Sequence, residues 1–120
     1  MCRLHESLQA SMDFARMLEG AGCSMLTVHG RTRGGDRHRR AGPADIAAIN
    51  AIAAAVRIPV LSNGNVRCHA DVHRNLAGSH CVGVMSGEGV LHSPRMLSCA
   101  RSGCARRRAC AGSVGRPRLT

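Results

Sequence analysis

The chain has 120 residues with a formal net charge of +10, and 44% of the residues are hydrophobic, with Phe14 as the one aromatic side chain. This length suits one small domain with an aliphatic core. No secretory signal and no apolar run of roughly 20 residues is present, so we expect neither a secreted nor a membrane protein. The seven cysteines are odd in number and irregularly spaced, which predicts free thiols in a reducing compartment, cytoplasmic or nuclear.

All 17 basic residues are arginines. Guanidinium groups bind phosphates through two parallel hydrogen bonds, so a charge of this size favours a polyanionic partner such as RNA. A GC-rich coding sequence would enrich arginine as well, and the composition alone leaves both explanations open.

The hydrophobic pattern alternates between helical and strand periods. Leu8, Met12, Ala15 and Leu18 recur at helical spacing, whereas the runs after residues 23, 57 and 80 are short and apolar. The predicted elements are, in chain order, helix 8–18, strand 24–28, helix 43–56, strand 58–61, helix 69–76, strand 81–85 and helix 94–99. This alternation predicts an α/β fold with a parallel sheet, corresponding to about the last three to four βα units of a (β/α)8 TIM barrel. We expect the barrel part to span residues 1–100 and the Arg-rich tail, residues 101–120, to be disordered.

Three turns follow the predicted strands, where parallel α/β proteins bind their ligands. The first contains His29 and Arg31, the second is Ser62–Asn65, and the third is Met85–Gly89. An imidazole can hydrogen-bond a ring or a phosphate, and glycine-rich turns expose successive N–H groups to an anion. Each turn alone also suits an ordinary strand-to-helix connection, so it is their succession that predicts a phosphate-bearing ligand.

Three segments together resemble the tRNA-dihydrouridine synthases, and the third looks most like the eukaryotic branch of the 16/17 type. They read LTVHGRT from Leu26, IPVLSNGNV from Ile58 and GVMSGEG from Gly83. The resemblance covers about residues 8–97. It implies an FMN enzyme that uses NADPH to reduce the C5–C6 double bond of uridines in tRNA.

The resemblance also assigns roles to residues of this chain. It implies that His29 contacts the isoalloxazine or ribityl part of FMN. Asn63, Gly64 and Asn65 would hold the phosphate end through backbone and side chains, and the N–H groups of Gly87 and Glu88 would complete the phosphate cup. The Glu88 carboxylate should point away from a phosphate, or cap the next helix. The residues expected at the RNA-facing mouth are Arg31 and Arg33.

Parts of the family pattern have no counterpart in this chain. The family's proton-donating cysteine lies in the first half of the barrel, and its helical RNA-binding domain follows the barrel. Neither is matched here, so we expect no catalytic residue in this chain. A half barrel leaves unpaired strand edges, which predicts a homodimer or a second chain that completes it, or a truncated or partial gene copy.

Three alternatives remain at this stage. One is another phosphate-binding flavin barrel, and a second is a non-catalytic basic RNA-binding or remnant protein. The third is a metal site, because His69 and His73 are spaced i and i+4 beside Cys68. Since no Cys-x-x-Cys pair accompanies these residues, we expect no metal site.

Overall fold

The computed structural model describes residues 1–32 and 42–97. Its elements, in chain order, are β1 (Cys2–Leu4), α1 (Leu8–Gly20), β2 (Leu26–Thr32), α2 (Ile46–Ala55), β3 (Val60–Asn63), α3 (His69–Leu76), β4 (Gly83–Met85), α4 (Glu88–His92) and a 3₁₀ helix (Pro94–Leu97). The four strands form one parallel sheet in the order β1-β2-β3-β4. This open sheet is the predicted partial barrel, half of an eight-stranded one.

The helices start where the sequence supplies caps. Ser7 Oγ accepts a hydrogen bond from the Ala10 N–H at the start of α1, and Asp45 Oδ1 accepts from the Ala48 N–H at the start of α2. Such caps satisfy N–H groups that have no partner inside the helix. The carboxylate of Glu19, late in α1, accepts from two backbone N–H groups in the segment that follows α2. The ends of α1 and α2 are thereby joined.

The core lies between the sheet and these helices. Leu26, Val28 and Val60 point from the strands towards Ile49 and Ile52 of α2, and all five side chains are buried. α2 consists almost entirely of alanine and isoleucine, which suits a helix that packs closely on a sheet. Within the described ranges, no helix is both long and apolar enough to traverse a bilayer.

The structure corrects several predicted boundaries. β1 was not predicted at all, because three residues carry too little periodicity to identify a strand. β2 continues to Thr32, so that His29 and Arg31 lie within the strand rather than in a loop after it. The predicted strand 58–61 is shifted to Val60–Asn63, and the predicted turn Met85–Gly89 includes the end of β4 and the start of α4. The predicted tail, 101–120, lies outside the described residues.

Ser62 is the one fully buried polar side chain of the sheet whose hydroxyl has no hydrogen-bond partner in the described part of the chain. It lies in register with Val28 and Val84, on the face that packs against the helices. A buried hydroxyl without a partner carries a desolvation cost.

We therefore expect the Ser62→Ala substitution to leave the free energy of unfolding unchanged or to raise it by about 1 kcal/mol. The matched control is Ser11→Ala. The buried Ser11 hydroxyl donates to the Ser7 carbonyl and accepts from the His5 N–H, so its loss should cost about 1–3 kcal/mol. Urea unfolding of the two variants measures both values. Equal destabilisation by the two substitutions would show that the Ser62 hydroxyl does have a stabilising partner.

Candidate functional site

Four side chains form a row at the carboxyl ends of the strands. The register pairs Arg3 of β1 with His29 of β2, His29 with Asn63 of β3, and Asn63 with Met85 of β4. Residues paired across parallel strands share a face, and neighbouring strands lie about 4.8 Å apart. The row faces away from the buried core residues Val28 and Ser62. Two of the residues predicted to bind a cofactor, His29 and Asn63, are thus direct neighbours.

His29 has a buried ring nitrogen that lacks a hydrogen-bond partner in the described part of the chain. Its side chain is half-buried, and its Nδ1 atom is buried with no hydrogen-bond partner among residues 1–32 and 42–97. Burial, and then the positive charges of Arg3 and Arg31, lower the pKa of His29 below its usual value of 6.5. The imidazole is therefore neutral at pH 7, where one nitrogen can donate and the other can accept.

Asn63 ends β3 with its amide close to the chain terminus. Its Nδ2 atom donates to Met1 Sδ at 3.1 Å, and a thioether is a weak acceptor. A ligand with a stronger acceptor can replace that bond at little cost. Asn63 therefore suits the predicted role of contacting a polar group beside His29.

Asn65, in contrast, uses its side chain to hold the backbone. Its Oδ1 accepts from the Ala44 N–H and its Nδ2 donates to the Ala44 carbonyl, both at 2.9 Å. The two bonds connect the turn after β3 with the segment that precedes α2. The prediction assigned the phosphate end to the backbone and side chains of Asn63, Gly64 and Asn65. Because the Asn65 amide already binds Ala44 through both its oxygen and its nitrogen, the Asn65 backbone is the better placed of the two for that role.

Gly64 is required at its position for two reasons. Its φ of +129° is in a region that L side chains rarely adopt, and a Cβ atom there would collide with the Ala44 side chain. Its carbonyl accepts from the buried Asn75 amide at 2.9 Å. The turn after β3 is therefore held from both sides, by Ala44 and by α3.

The third predicted turn packs directly on the second. The Ser86 hydroxyl donates to the Val66 carbonyl at 3.0 Å, and a Cβ atom on Gly89 would collide with that same carbonyl. Gly87 is different, because a Cβ atom there would meet no atom within 4 Å. Glu88 is the exposed first residue of α4, where a negative charge favours the helix start. The two glycine-containing turns predicted to share a phosphate are adjacent, with open space beside Gly87.

Of the two arginines predicted to face RNA, the structure describes Arg31 only. Nε and Nη2 of Arg31 donate to the Gly42 carbonyl at 3.1 and 2.9 Å, so its guanidinium helps to hold the segment that leads into α2. Arg33 lies outside the described residues. Sequence reasoning missed Arg3, which lies beside His29 because β1 was not predicted. β1 spans only Cys2–Leu4, and three residues are too few to show a strand pattern in the sequence.

The open parallel sheet, with helices packed on one face and polar side chains at its strand ends, defines this chain as a segment of a β/α barrel. A model of the family described as dihydrouridine synthase (Dus) matches residues 2–113, and the chain belongs to that family. The predicted partial TIM barrel and the predicted family are both confirmed.

Named relatives support the same family, and the first of them is of the 16/17 type. The chain is 45% identical over 95 residues to the rat protein tRNA-dihydrouridine(16/17) synthase [NAD(P)(+)]-like, covering 79% of this chain and 22% of the relative. It is 40% identical over 86 residues to a probable tRNA-dihydrouridine synthase of Rhodobacter capsulatus, covering 72% and 26%. It is 35% identical over 101 residues to the yeast tRNA-dihydrouridine(20a/20b) synthase [NAD(P)+], covering 80% and 26%. The predicted 16/17 type is confirmed, and the chain spans about a quarter of the length of these relatives.

The two hydrogen bonds between the Asn65 side chain and the Ala44 backbone can be tested by the substitution Asn65→Gly. Asn65 has a φ of +58°, which glycine adopts without strain, so this variant removes the two hydrogen bonds and keeps the backbone conformation accessible. Because the buried Ala44 N–H and carbonyl lose their partners, we expect the free energy of unfolding to fall by about 1–3 kcal/mol. Urea unfolding measures the change. A variant as stable as the parent chain would show that these two bonds contribute nothing.

The lowered pKa of His29 predicts an acid-sensitive stability. Below pH 6.5 the unfolded chain protonates this imidazole while the folded chain resists, so the unfolded state binds more protons. The His29 contribution is present above pH 6.5 and is lost as the pH falls towards the folded pKa. We expect the melting temperature of the parent chain to fall more steeply between about pH 7 and pH 5 than that of His29→Gln. Parallel curves for the two proteins would be inconsistent with a buried neutral His29.

Proposed function

We propose that this chain provides the FMN side of a tRNA-dihydrouridine synthase active site. The observation that carries the proposal is the buried, unpartnered Nδ1 of His29, next to Asn63 at the strand ends. The adjacent turns around Gly64 and Gly87 add the backbone N–H groups and open space that suit a phosphate. Membership of the Dus family supports the same reading.

In this proposal each residue has a distinct task. His29 hydrogen-bonds the isoalloxazine or ribityl part through Nδ1, and Asn63 binds a polar group beside it. The backbone of Gly64 and Asn65, with the N–H groups of Gly87 and Glu88, holds the phosphate. The chemistry that bound FMN supplies is the transfer of hydride from NADPH to the C5–C6 double bond of uridine in tRNA. The NAD(P)+ named for the relatives supports this reductant.

The protein residue that protonates the uracil is not assigned to this chain. None of the four described cysteines, Cys2, Cys23, Cys68 and Cys81, lies in the row of side chains that contains His29. Cys2 is the nearest along the chain to that row, but it pairs with Val28 and so faces the other way. Burial raises the pKa of the Cys2 thiol, which keeps it protonated and unreactive.

We propose that a second chain, or a second copy of this one, supplies the remaining strands and the acid. β1 and β4 are the edges of the sheet, and each has one strand neighbour among the described residues. Large apolar side chains are exposed just before β4 and in the helices that follow it, with Val82, Leu91 and Leu97 at 65%, 83% and 51%. Unpaired edges beside exposed apolar residues favour association. Arg31 and Arg33 would then lie near the tRNA at the mouth of the completed barrel.

The phosphate part of the proposal predicts a selective loss of affinity in Gly87→Asp. The helix α4 begins after Gly87, where aspartate is a favourable cap, and the space beside Gly87 is open, so this variant should remain folded. Its carboxylate, however, would repel a phosphate group. We expect FMN to bind at least about tenfold more weakly, which corresponds to about 1.4 kcal/mol.

Riboflavin provides the matched ligand control, because it lacks the phosphate, and its affinity should not change in Gly87→Asp. Gly20→Asp provides the matched protein control, since Gly20 also has open space but lies at the end of α1. Quenching of flavin fluorescence on titration measures the six affinities of the parent chain and the two variants for the two flavins. A parent chain that is folded but binds neither flavin would rule out the proposal, and equal weakening of both flavins would rule out the phosphate assignment.

A further inference from the structure

A pair of imidazoles lies on α3, outside the candidate cofactor site. His69 and His73 are four residues apart and therefore occupy the same face of the helix. Their Nε2 atoms are 3.0 Å apart, and their rings meet edge to face with centroids 4.7 Å apart. His73 is exposed and His69 is partly buried. Two ring nitrogens thus converge at a point that is open to solvent.

The surroundings of His69 fix its tautomer. Its Nδ1 lies 3.0 Å from the Met96 carbonyl oxygen, which can only accept a hydrogen bond. Nδ1 therefore carries the hydrogen, and the Nε2 of the neutral ring presents a lone pair. In the metal-free pair, His73 donates its Nε2–H to that lone pair. Metal-binding histidines commonly donate their other ring N–H to a backbone carbonyl, which fixes the ring orientation. His69 already has the tautomer and the support of a metal ligand.

The ligand set indicates which metals would fit. Imidazole nitrogens suit Zn²⁺, Cu²⁺ and Ni²⁺, and affinity for such ligands rises from Ni²⁺ to Cu²⁺. A structural zinc site has four protein ligands, whereas this pair offers two, with the other positions open to water. We propose that His69 and His73 chelate a divalent transition-metal ion of tetragonal preference, such as Ni²⁺ or Cu²⁺.

Binding needs only a local proton shift. The ring hydrogen of His73 moves from Nε2 to Nδ1, both nitrogens facing the ion then present lone pairs, and the neutral pair releases no net proton. In residues 1–32 and 42–97, no group of three or more His, Cys, Asp or Glu side chains could hold a metal. Water therefore completes the coordination of this two-ligand site. The proposal departs from the sequence-based expectation that the chain has no metal site.

The test is Ni²⁺ titration of the purified chain at mildly alkaline pH, followed by the imidazole NMR signals. Paramagnetic Ni²⁺ at low ratios should broaden the signals of His69 and His73 before those of the other five of the seven histidines. Site-resolved broadening also separates this pair from binding by thiols. Broadening that begins at other residues, or no binding at all, would overturn the proposal.

Variants add a second, independent measurement by calorimetry. We expect His73→Gln to weaken Ni²⁺ binding by about tenfold or more. The double variant His73→Gln/Arg74→His keeps the number of histidines but places the second one five residues from His69, off the shared face, and should be equally weak. His92→Gln, which removes a histidine of α4, should bind like the parent chain. Equal affinity of the parent chain and His73→Gln would overturn the proposal.

Discussion

The strand ends of this fold are organised around one dipeptide, Ala44–Asp45, which lies between β2 and β3. The Asp45 N–H donates to the Gly30 carbonyl at 2.7 Å, and the Asn65 amide binds both backbone groups of Ala44. A Cβ atom on Gly30 would lie 2.8 Å from the Asp45 carbonyl oxygen, so glycine is needed for this approach. A strand end, a turn and the start of α2 are therefore fixed by contacts with the same two residues.

This junction separates the polar residues of the strand ends into two groups. The Asn65 side chain binds the junction through both its oxygen and its nitrogen. Asn63, two residues earlier, lies on the exposed face of the sheet beside His29. Similar residues in one short turn thus differ in role because one is satisfied by the backbone and the other is not. Preorganised backbone next to unsatisfied side chains is the arrangement that a ligand site requires.

Local patterns predicted the parallel sheet, since short apolar runs and helical periods alternate along the whole described chain. They placed His29 and Asn63 at the carboxyl ends of two successive strands, and the register of the sheet pairs these two residues directly. They failed at β1, which owes its existence to pairing with β2 rather than to its own composition. They also gave no sign that the Asn65 side chain binds Ala44, which is 21 residues away along the chain. What the sequence lacks in each case is long-range contact, which only the packed fold provides.

The two halves of the candidate site, at either end of the row from Arg3 to Met85, differ in charge. Arg3 and Arg31 flank His29 and favour its neutral form, so that a ring nitrogen remains available to accept a hydrogen bond. At the β4 end, the row ends at the uncharged Met85, and the turn that follows holds Gly87 beside open space. A ligand with a flat polar ring and an anionic tail would match this division, with the ring at His29 and the anion at the glycine turns. The same division explains why the removal of a phosphate from the ligand should matter at Gly87 and not at His29.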